Sequence, residues 1–439
     1  MNYELTNNYQ LMNNRRKFMT QGLLGATAAA GLAMNPISGF ANTFGNAMLR
    51  NEQYSSPSDI KITGIKCGYI RNGHDLFVKI TTNQEVWGCG EGADATPGTY
   101  QLVKMMGERL KGKSPLNVNR LFEDLRRSGF FEGAQSGMYL AVLSAVEAAL
   151  WDLAGKILGL PVYQLLGGKF RDKVRVYLDT ALYQSTNPKP EEFADAAKNA
   201  VKMGFNAMKF DIDQANDPNK YDRYNWTASP AELHRMYDQI AAARQAVGPN
   251  MDICVDMHGR YDVTTGERVA KMMEPLNLMW LEEPVPAENV DAYKKIADAT
   301  NTPICGGENV YLANGFREYM EKSAVDIIMP DLQKCGGLGE GQRIANLANL
   351  YYVPFAPHMV SSYLAAMASA HVCAAVPNFL IMEWQVYFHT DPMFKEIIKY
   401  DGEWVNNSFI TVSNKPGIGV EINEEGMKKY AAPGYPFFE

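Results

Sequence analysis

The sequence predicts an α/β protein in which a parallel βα barrel follows a smaller α+β unit. Strand-like and helix-like segments alternate from about residue 174 to 390, which is the pattern of parallel strands joined by helices. Six acidic or histidine residues end successive apolar runs there, 26, 26, 23, 27 and 25 residues apart: Asp256, Glu282, Glu308, Asp331, His358 and Glu383. One strand, one helix and two loops take roughly that many residues, so we expect these side chains at the same end of neighbouring strands.

The composition is that of a globular protein with more than one domain. The chain has 439 residues, of which 46% are hydrophobic and 21% charged, and a net charge of −7. It has no basic stripe and no Walker-type glycine-rich loop, so nucleic acid is not an expected partner. The six cysteines form no CxxC pair. We therefore expect buried free thiols rather than a disulfide framework.

The N-terminus has the features of an export signal. Arg15 and Arg16 precede a short apolar stretch at 22–34 and a small-residue exit, which resembles a twin-arginine signal over residues 1–41, followed by a linker at 42–57. Three positions depart from that pattern: Asn14, Met19 and Thr20. The alternatives are an ordinary basic N-terminus or a membrane anchor, although the apolar stretch is short for a bilayer. We expect export to the bacterial periplasm and no other membrane association, or a cytoplasmic protein if the signal does not function.

Residues 58–172 predict the α+β unit. Short strands are indicated near 60–63 and 76–80, and helical periodicity runs from about 101 to 159. Residues 140–154 are so rich in alanine and other apolar residues that this helix must be buried on most sides.

Residues 173–390 predict the barrel, with eight strands at 175–182, 206–211, 252–256, 278–282, 303–306, 325–329, 353–357 and 378–383. An insertion at 213–228 follows the second strand, so we expect it to overhang the active face. The alternation stops after residue 390. The segment 391–439 contains an extended stretch at 417–421 that is expected to return to the N-terminal unit.

Three strand-end carboxylates form a candidate metal site. Asp256, Glu282 and Glu308 end consecutive strands, and three hard oxygen ligands favour Mg²⁺, or Mn²⁺, over zinc. Each acid alone could instead form a structural salt bridge, but three in register favour a metal.

Two histidines are candidates for acid and base catalysis. His358 and Asp331 end adjacent strands, and a carboxylate that holds an imidazole sets its tautomer and raises its basicity. His258 lies two residues beyond Asp256 and so points to the same side of its strand. Four other histidines match no such position and are expected at the surface or in the core: His74, His234, His371 and His389.

Lys209 and Glu383 complete the predicted site. Lys209 ends the second strand, where its charge could face a substrate carboxylate, and Glu383 on the last strand would lie opposite. The expected reaction is removal of the proton next to a metal-bound carboxylate, with the enediolate stabilised by the metal, Lys209 and Glu383.

The chain resembles the enolase superfamily, mandelate racemase subgroup, over residues ~58 to ~435, about nine-tenths of its length. The barrel segments that carry the resemblance are Val255-Asp256-Met257-His258-Gly259-Arg260, Trp280-Leu281-Glu282-Glu283-Pro284, Gly307-Glu308, Pro330-Asp331 with Gly336-Gly337, and Ala356-Pro357-His358. Ser144-Ala145-Val146-Glu147-Ala148-Ala149-Leu150-Trp151-Asp152 and Pro416-Gly417-Ile418-Gly419 are similar to its capping domain. The resemblance implies a modified (β/α)₇β barrel, a cap built from both chain ends, and a homo-oligomer; this superfamily is a known example of a Lys or His base working with Mg²⁺.

Within the family, the Asp-x-His-Gly-Arg strand is most similar to acid-sugar dehydratases of the galactonate dehydratase type. By that resemblance His358 with Asp331 would abstract the α-proton, His258 would protonate the departing β-hydroxyl, and Arg260, with Lys209 and Glu383, would bind substrate. The second strand reads Lys209-Phe210-Asp211, whereas racemases of the subgroup have Lys-x-Lys. The usual base on the other face is lost, which disfavours racemisation, although Lys209 itself stays open as a base.

The expected function is therefore dehydration of a sugar acid, an aldonate or an aldarate, to a 2-keto-3-deoxy acid. An epimerase or cycloisomerase that uses the same enediolate is the alternative, and a non-catalytic sugar-acid binding protein is a remote one. We expect the cap loops near 70–75 and 89–100 and the insertion at 213–228 to select the substrate.

Overall fold

The fold comes from a computed structural model of the chain. The structure describes residues 59–71, 74–182 and 187–439. The predicted export signal at 1–41 and the linker at 42–57 lie outside the described residues.

The N-terminal cap packs helices on a three-stranded antiparallel sheet. Its elements are β1 (Ile62–Ile70), β2 (Asp75–Thr82), β3 (Trp87–Gly92), α1 (Tyr100–Leu110), α2 (Val118–Ser128), α3 (Gly137–Leu158) and α4 (Val162–Leu165). Glycines on β3 let α3 lie directly against the sheet, since a Cβ at Gly88 or Gly90 would come within 2.3 or 2.1 Å of a helix carbonyl oxygen. By length and composition α3 could cross a membrane, but 89% of its apolar window is buried within the protein. It is the core helix of the cap, as its composition predicted.

The second part is a parallel sheet whose strands are joined by helices. Its strands are β4 (Lys173–Asp179), β5 (Ala207–Asp211), β6 (Asp252–Asp256), β7 (Trp280–Glu282), β8 (Ile304–Gly306), β9 (Ile327–Ile328) and β10 (Met382–Gln385). Its helices are α5 (Pro190–Lys202), α6 (Pro230–Val247), α7 (Val263–Met273), α8 (Val290–Ala297), α9 (Leu312–Glu321), α10 (Leu338–Leu350) and α11 (Tyr363–Ala375). The strands lie in the order β10-β4-β5-β6-β7-β8-β9, which matches the chain order that a barrel requires.

The predicted strand at 353–357 is reduced to isolated bridges. Phe355 bridges in parallel to Ile328 on one side and to Phe379 on the other, and its N–H donates to the Asn378 carbonyl at 2.9 Å. These bridges join the two edges of the sheet. Pro354 and Pro357 flank the position, and because proline has no N–H to donate, a regular strand cannot form there. The prediction of a full strand was wrong for this reason, although its place in the ring is confirmed.

The C-terminal segment returns to the cap. Only the short helices α12 (Tyr387–Thr390) and α13 (Met393–Ile397) follow β10, before β11 (Ile398–Lys399), β12 (Phe409–Thr411), β13 (Glu421–Ile422) and α14 (Glu424–Lys428). β12 pairs antiparallel with β4. Ala431 then bridges to Ile70, and the Phe438 N–H donates to the Cys67 carbonyl at 2.8 Å. The predicted fold, a (β/α)₇β barrel with a cap that the C-terminal segment completes, is confirmed, and the six cysteines are buried free thiols as expected.

The cap helix α3 docks on the barrel through polar side chains. Glu147 accepts hydrogen bonds from the N–H groups of Leu338 and Gly339, at 2.8 and 2.9 Å, in the first turn of α10. The indole of Trp151 donates to the same carboxylate at 2.6 Å, and Ser144 Oγ accepts from the Gly336 N–H at 2.9 Å. A buried carboxylate thus caps a helix N-terminus from another part of the chain, where it also meets the positive end of the helix dipole.

Glu147→Ala is expected to lower the free energy of unfolding by about 2–4 kcal/mol, because it leaves two buried N–H groups and the partly buried Trp151 indole without an acceptor. Urea denaturation followed by circular dichroism measures the loss. Glu108→Ala, at an exposed position of α1, is the control and should change stability by less than about 0.5 kcal/mol. Equal effects of the two substitutions would show that the docking contact does not stabilise the fold.

Candidate active site

Side-chain alternation on the strands directs the polar residues inward. Cys254 and Trp280 lie in the buried core inside the barrel, and Asp256 and Glu282 follow them by two residues on β6 and β7. Residues two apart on a strand point to the same side. The carboxylates therefore stand directly above an apolar floor, at the carboxyl ends of the strands, where barrel enzymes place their active sites.

The three predicted metal ligands meet at one point. Asp256, Glu282 and Glu308 are buried, and one ligand oxygen from each lies within 4.8 Å of the others. Burial and then the Asp256 carboxylate raise the pKa of Glu282 well above its ordinary value. Glu282 Oε1 and Glu308 Oε2 accept no hydrogen bond of good geometry from the described residues, although they lie 3.9 Å from Lys209 Nζ and 3.0 Å from His358 Nε2. Buried carboxylate oxygens with unused bonding capacity fit a hard divalent cation, and Mg²⁺ suits this all-oxygen set.

A second group of potential ligands shares Asp256. Asp211, Asp256 and His258 also have ligand atoms within 4.8 Å of one another. The ammonium of Lys209 lies 3.1 Å from Oδ2 of Asp256, a residue that both groups share, so this charge does not distinguish them. The triad of Asp256, Glu282 and Glu308 is the better Mg²⁺ site because its ligands are all carboxylate oxygens, whereas the imidazole of His258 is held by Asp213 at 2.9 Å.

His358 and Asp331 form the predicted pair. His358 Nδ1 lies 2.8 Å from Asp331 Oδ2, which leaves Nε2 facing Glu308 and Glu383 at 3.0 and 3.5 Å. Burial alone would lower the pKa of His358, but the charges of Glu308 and Glu383 and the bond to Asp331 raise it to about 10. The ring is thus held in one orientation with a strongly basic nitrogen directed into the site.

Lys209 connects the metal triad to the last strand. Its ammonium lies 2.9 Å from Glu383 Oε1 and 3.1 Å from Asp256 Oδ2, and all three side chains are buried. Burial would lower the pKa of Lys209, but the charges of Glu282, Glu383 and Asp256 raise it well above its ordinary value. Lys209 is therefore a buried positive charge among three carboxylates, and its predicted role toward the substrate stays a prediction.

His258 belongs to a second histidine–aspartate pair that the sequence reasoning missed. Its Nδ1 lies 2.9 Å from Asp213 Oδ1, and its backbone N–H donates to Asp256 Oδ1 at 2.8 Å. Burial would lower the pKa of His258, but the Asp256 charge and the bond to Asp213 raise it to about 12. Asp213 follows Lys209 and Asp211 at intervals of two residues, which is the signal that could have identified it.

The structure does not bring Arg260 into the cavity wall. Its side chain is 53% exposed, and its Nε lies 3.1 Å from Asp213 Oδ2, so that it supports the partner of His258. The substrate-binding role of Arg260 stays a prediction.

Cap and barrel together line a cavity of about 320 Å³. The barrel contributes Lys209, His258 and His358, and the cap contributes Arg71, His74, Asp75, Ala93 and Asp94. These residues lie in the two cap loops predicted near 70–75 and 89–100, and the selection of substrate by those loops stays a prediction. His74 is exposed, as expected, and it lines this cavity. None of the residues of the 213–228 insertion lines it.

Other polar residues of the wall were also missed. Asp179 and Gln385 line the cavity and hydrogen-bond each other at 3.0 Å. Asp179 ends β4 after an apolar run, so the strand-end signal was present. It falls outside the regular series because 32 residues separate it from Asp211 on the next strand.

Comparison with known proteins agrees with this architecture. Residues 64–167 match the mandelate racemase/muconate lactonizing enzyme N-terminal domain, and residues 192–426 match the enolase C-terminal domain-like family. The D-xylonate dehydratase of Haloferax volcanii is 36% identical over 87% of this chain and 91% of its own length. The D-galactonate dehydratase of Variovorax paradoxus is 30% identical over 80% and 89%.

A solved structure has the same fold across cap and barrel. The mandelate racemase/muconate lactonizing enzyme-like protein of Rubrobacter xylanophilus superimposes with a TM-score of 0.82 at 42% identity, covering 86% of this chain and 99% of that protein. The matches span both domains. This chain belongs to the mandelate racemase/muconate lactonizing enzyme family of the enolase superfamily.

Proposed function

We propose that this chain is a Mg²⁺-dependent hydro-lyase that converts a sugar acid to a 2-keto-3-deoxy acid. The observation that supports this most directly is the presence of two histidine–aspartate pairs beside one triad of acidic ligands. Elimination of water next to a carboxylate needs one group to remove the α-proton and another to protonate the leaving hydroxyl. The names of the relatives from Haloferax and Variovorax, both aldonate dehydratases, support a sugar acid as the substrate class.

His358 is the base in this proposal. Asp331 holds Nδ1, so Nε2, which faces Glu308 and Glu383, is the nitrogen that takes the α-proton and carries it as an imidazolium that the Asp331 carboxylate stabilises. The negative charge that moves onto the substrate carboxylate faces Lys209, whose ammonium Glu383 holds at 2.9 Å. When bound by Asp256, Glu282 and Glu308, Mg²⁺ would supply a Lewis acid for that carboxylate; Mn²⁺ would serve the same purpose.

His258 is the acid. Asp213 orients its ring through Nδ1, so the proton on Nε2 can pass to the oxygen on C3. The C3–O bond breaks, water leaves, and the enol that results takes a proton at C3 to give the 2-keto-3-deoxy acid.

A screen of aldonates and aldarates with Mg²⁺ tests the function. For a substrate incubated in D₂O, the α-proton should be replaced by deuterium or lost on elimination. The product should be a keto acid that semicarbazide detects. An epimerase or cycloisomerase would give exchange with no change in product mass beyond the isotope. If no acid in the panel exchanged its α-proton, the enzyme proposal would be wrong and a binding protein would be favoured.

His258→Asn is expected to slow dehydration by about 10²-fold or more while α-proton exchange continues, because only the leaving-group step needs the acid. Proton exchange by NMR and keto-acid formation are measured on the same samples. The exposed His234→Asn is the control and should change neither rate. Equal loss of exchange and dehydration in His258→Asn would contradict the assignment.

We also propose that residues 1–41 direct export through the twin-arginine route, on the strength of Arg15 and Arg16 ahead of an apolar stretch. Replacing both arginines with lysine is expected to retain the protein in the cytoplasm, as measured by cell fractionation. Lys17→Arg is the control and should leave export unchanged. A wild-type chain found only in the cytoplasm would refute the proposal.

A further inference from the structure

Asp211 is a buried carboxyl group with no assigned role. It ends β5 and is 1% exposed, and neither of its oxygens has a hydrogen-bond partner among the described residues. It lines the active-site cavity. Leaving a buried polar group unsatisfied is costly, so the carboxyl is expected to find its partner in a bound molecule.

Its surroundings are polar on the same wall of the cavity. Asp179 lies on β4, next to β5, and Gln385 lies on β10, next to β4. Both line the cavity, and they are joined by a hydrogen bond of 3.0 Å. Ser361 also lines the cavity, and its buried Oγ lacks a hydrogen-bond partner among the described residues. These carboxyl, amide and hydroxyl groups suit a polyhydroxylated chain.

The position of Asp211 indicates which part of the substrate it meets. A carboxylate oxygen of Asp211 lies within 4.8 Å of the ligand atoms of both His258 and Asp256. In the proposed reaction His258 contacts the departing oxygen on C3. The nearest other polar group of a sugar acid on the side away from the carboxylate is the hydroxyl on C4, which is the neighbour of that oxygen.

We propose that Asp211 binds the C4 hydroxyl of the sugar acid and thereby makes the enzyme selective for substrates that carry it. The inference rests on the proposed function, since the C3 oxygen is placed by the role of His258. Asp211 acts here as a substrate-binding residue that determines specificity, and no step of proton transfer is assigned to it.

The test compares the best aldonate of the panel with its 4-deoxy counterpart. The wild-type enzyme is expected to prefer the hydroxylated acid by at least about 100-fold in kcat/KM, because a site built to hydrogen-bond a hydroxyl rejects the analogue that lacks it. Asp211→Ala should reduce this preference at least fivefold. Asp211→Asn, which keeps a hydrogen-bonding group, should retain more of the preference than Asp211→Ala. If Asp211→Ala reduced the preference by less than fivefold, or lowered kcat/KM equally for both acids, the assignment to the C4 hydroxyl would be overturned.

Two controls distinguish a contact with the C4 hydroxyl from the mere loss of a carboxylate and from damage to the metal site. Asp195→Ala removes a carboxylate on α5 that is 76% exposed and does not line the cavity, and it should leave the preference between the two acids unchanged. Mg²⁺ affinity, measured by calorimetry, should stay within threefold of wild type in Asp211→Ala; a larger fall would make Asp211 a metal-site residue and overturn the proposal.

The same selectivity is measured without turnover in the His358→Asn background, where calorimetry gives the affinity for each acid. Loss of selectivity on adding Asp211→Ala supports the inference, and unchanged selectivity overturns it. Failure of the proposed function has a different signature, namely that the wild-type enzyme turns over no sugar acid. Binding without turnover and turnover without C4 selectivity are therefore distinguishable.

Discussion

His358→Asn is expected to lower both α-proton exchange and dehydration by about 10³–10⁴-fold, the upper range for loss of a general base. Asparagine fills a similar space but cannot take up a proton. His358 Nε2 is directed into the site because Nδ1 is held by Asp331 at 2.8 Å. The measurement is exchange of the α-proton in D₂O, followed by NMR on a substrate found in the panel.

Asp331→Asn is the companion variant. It leaves the imidazole in place but removes the charge that stabilises the imidazolium, so an intermediate loss of about 10²-fold is expected. Mg²⁺ affinity should change little in either variant, since neither residue belongs to the ligand triad. If His358→Asn kept exchange above one-tenth of the wild-type rate, another base, with Lys209 as the first candidate, would have to be assigned.

Glu282→Gln is expected to have opposite effects on metal binding and on stability. It should weaken Mg²⁺ binding by more than about 100-fold, because a direct ligand contributes more to metal affinity than a residue that only orients a ligand. Dehydration should be abolished. In the presence of EDTA it should instead raise the melting temperature by about 1–3 °C, because a buried carboxylate next to two others is removed. Burial and Asp256 already raise the pKa of Glu282, which is the sign of that unfavourable charge.

Thermal denaturation with EDTA and with excess Mg²⁺ measures both effects. The wild-type protein should gain stability with Mg²⁺, and Glu282→Gln should not. Glu288→Gln, at an exposed position six residues along the chain, is the control and should behave as wild type. A Glu282→Gln protein that still gained stability from Mg²⁺ would place the metal elsewhere.

The sequence by itself was sufficient for the fold class and for the central residues of the site. Asp256, Glu282 and Glu308 meet, and His358 pairs with Asp331, because each ends or closely follows a strand position of the barrel and the strands of a barrel end on one face. Lys209 was found in the same way. Local periodicity carries this information, so one sequence without its relatives is enough to read it.

Only the tertiary structure revealed the contacts between residues that lie far apart in the sequence. Glu147 caps a helix about 190 residues further along the chain, and Arg71, His74 and Asp75 of the cap line a cavity with barrel strands. Asp213 contacts His258, while Arg260, which a motif had favoured for substrate, pairs with Asp213 and does not line the cavity. Strand spacing places a residue at the face of the barrel, but the direction of a loop side chain depends on packing between segments remote in sequence, which no local pattern encodes.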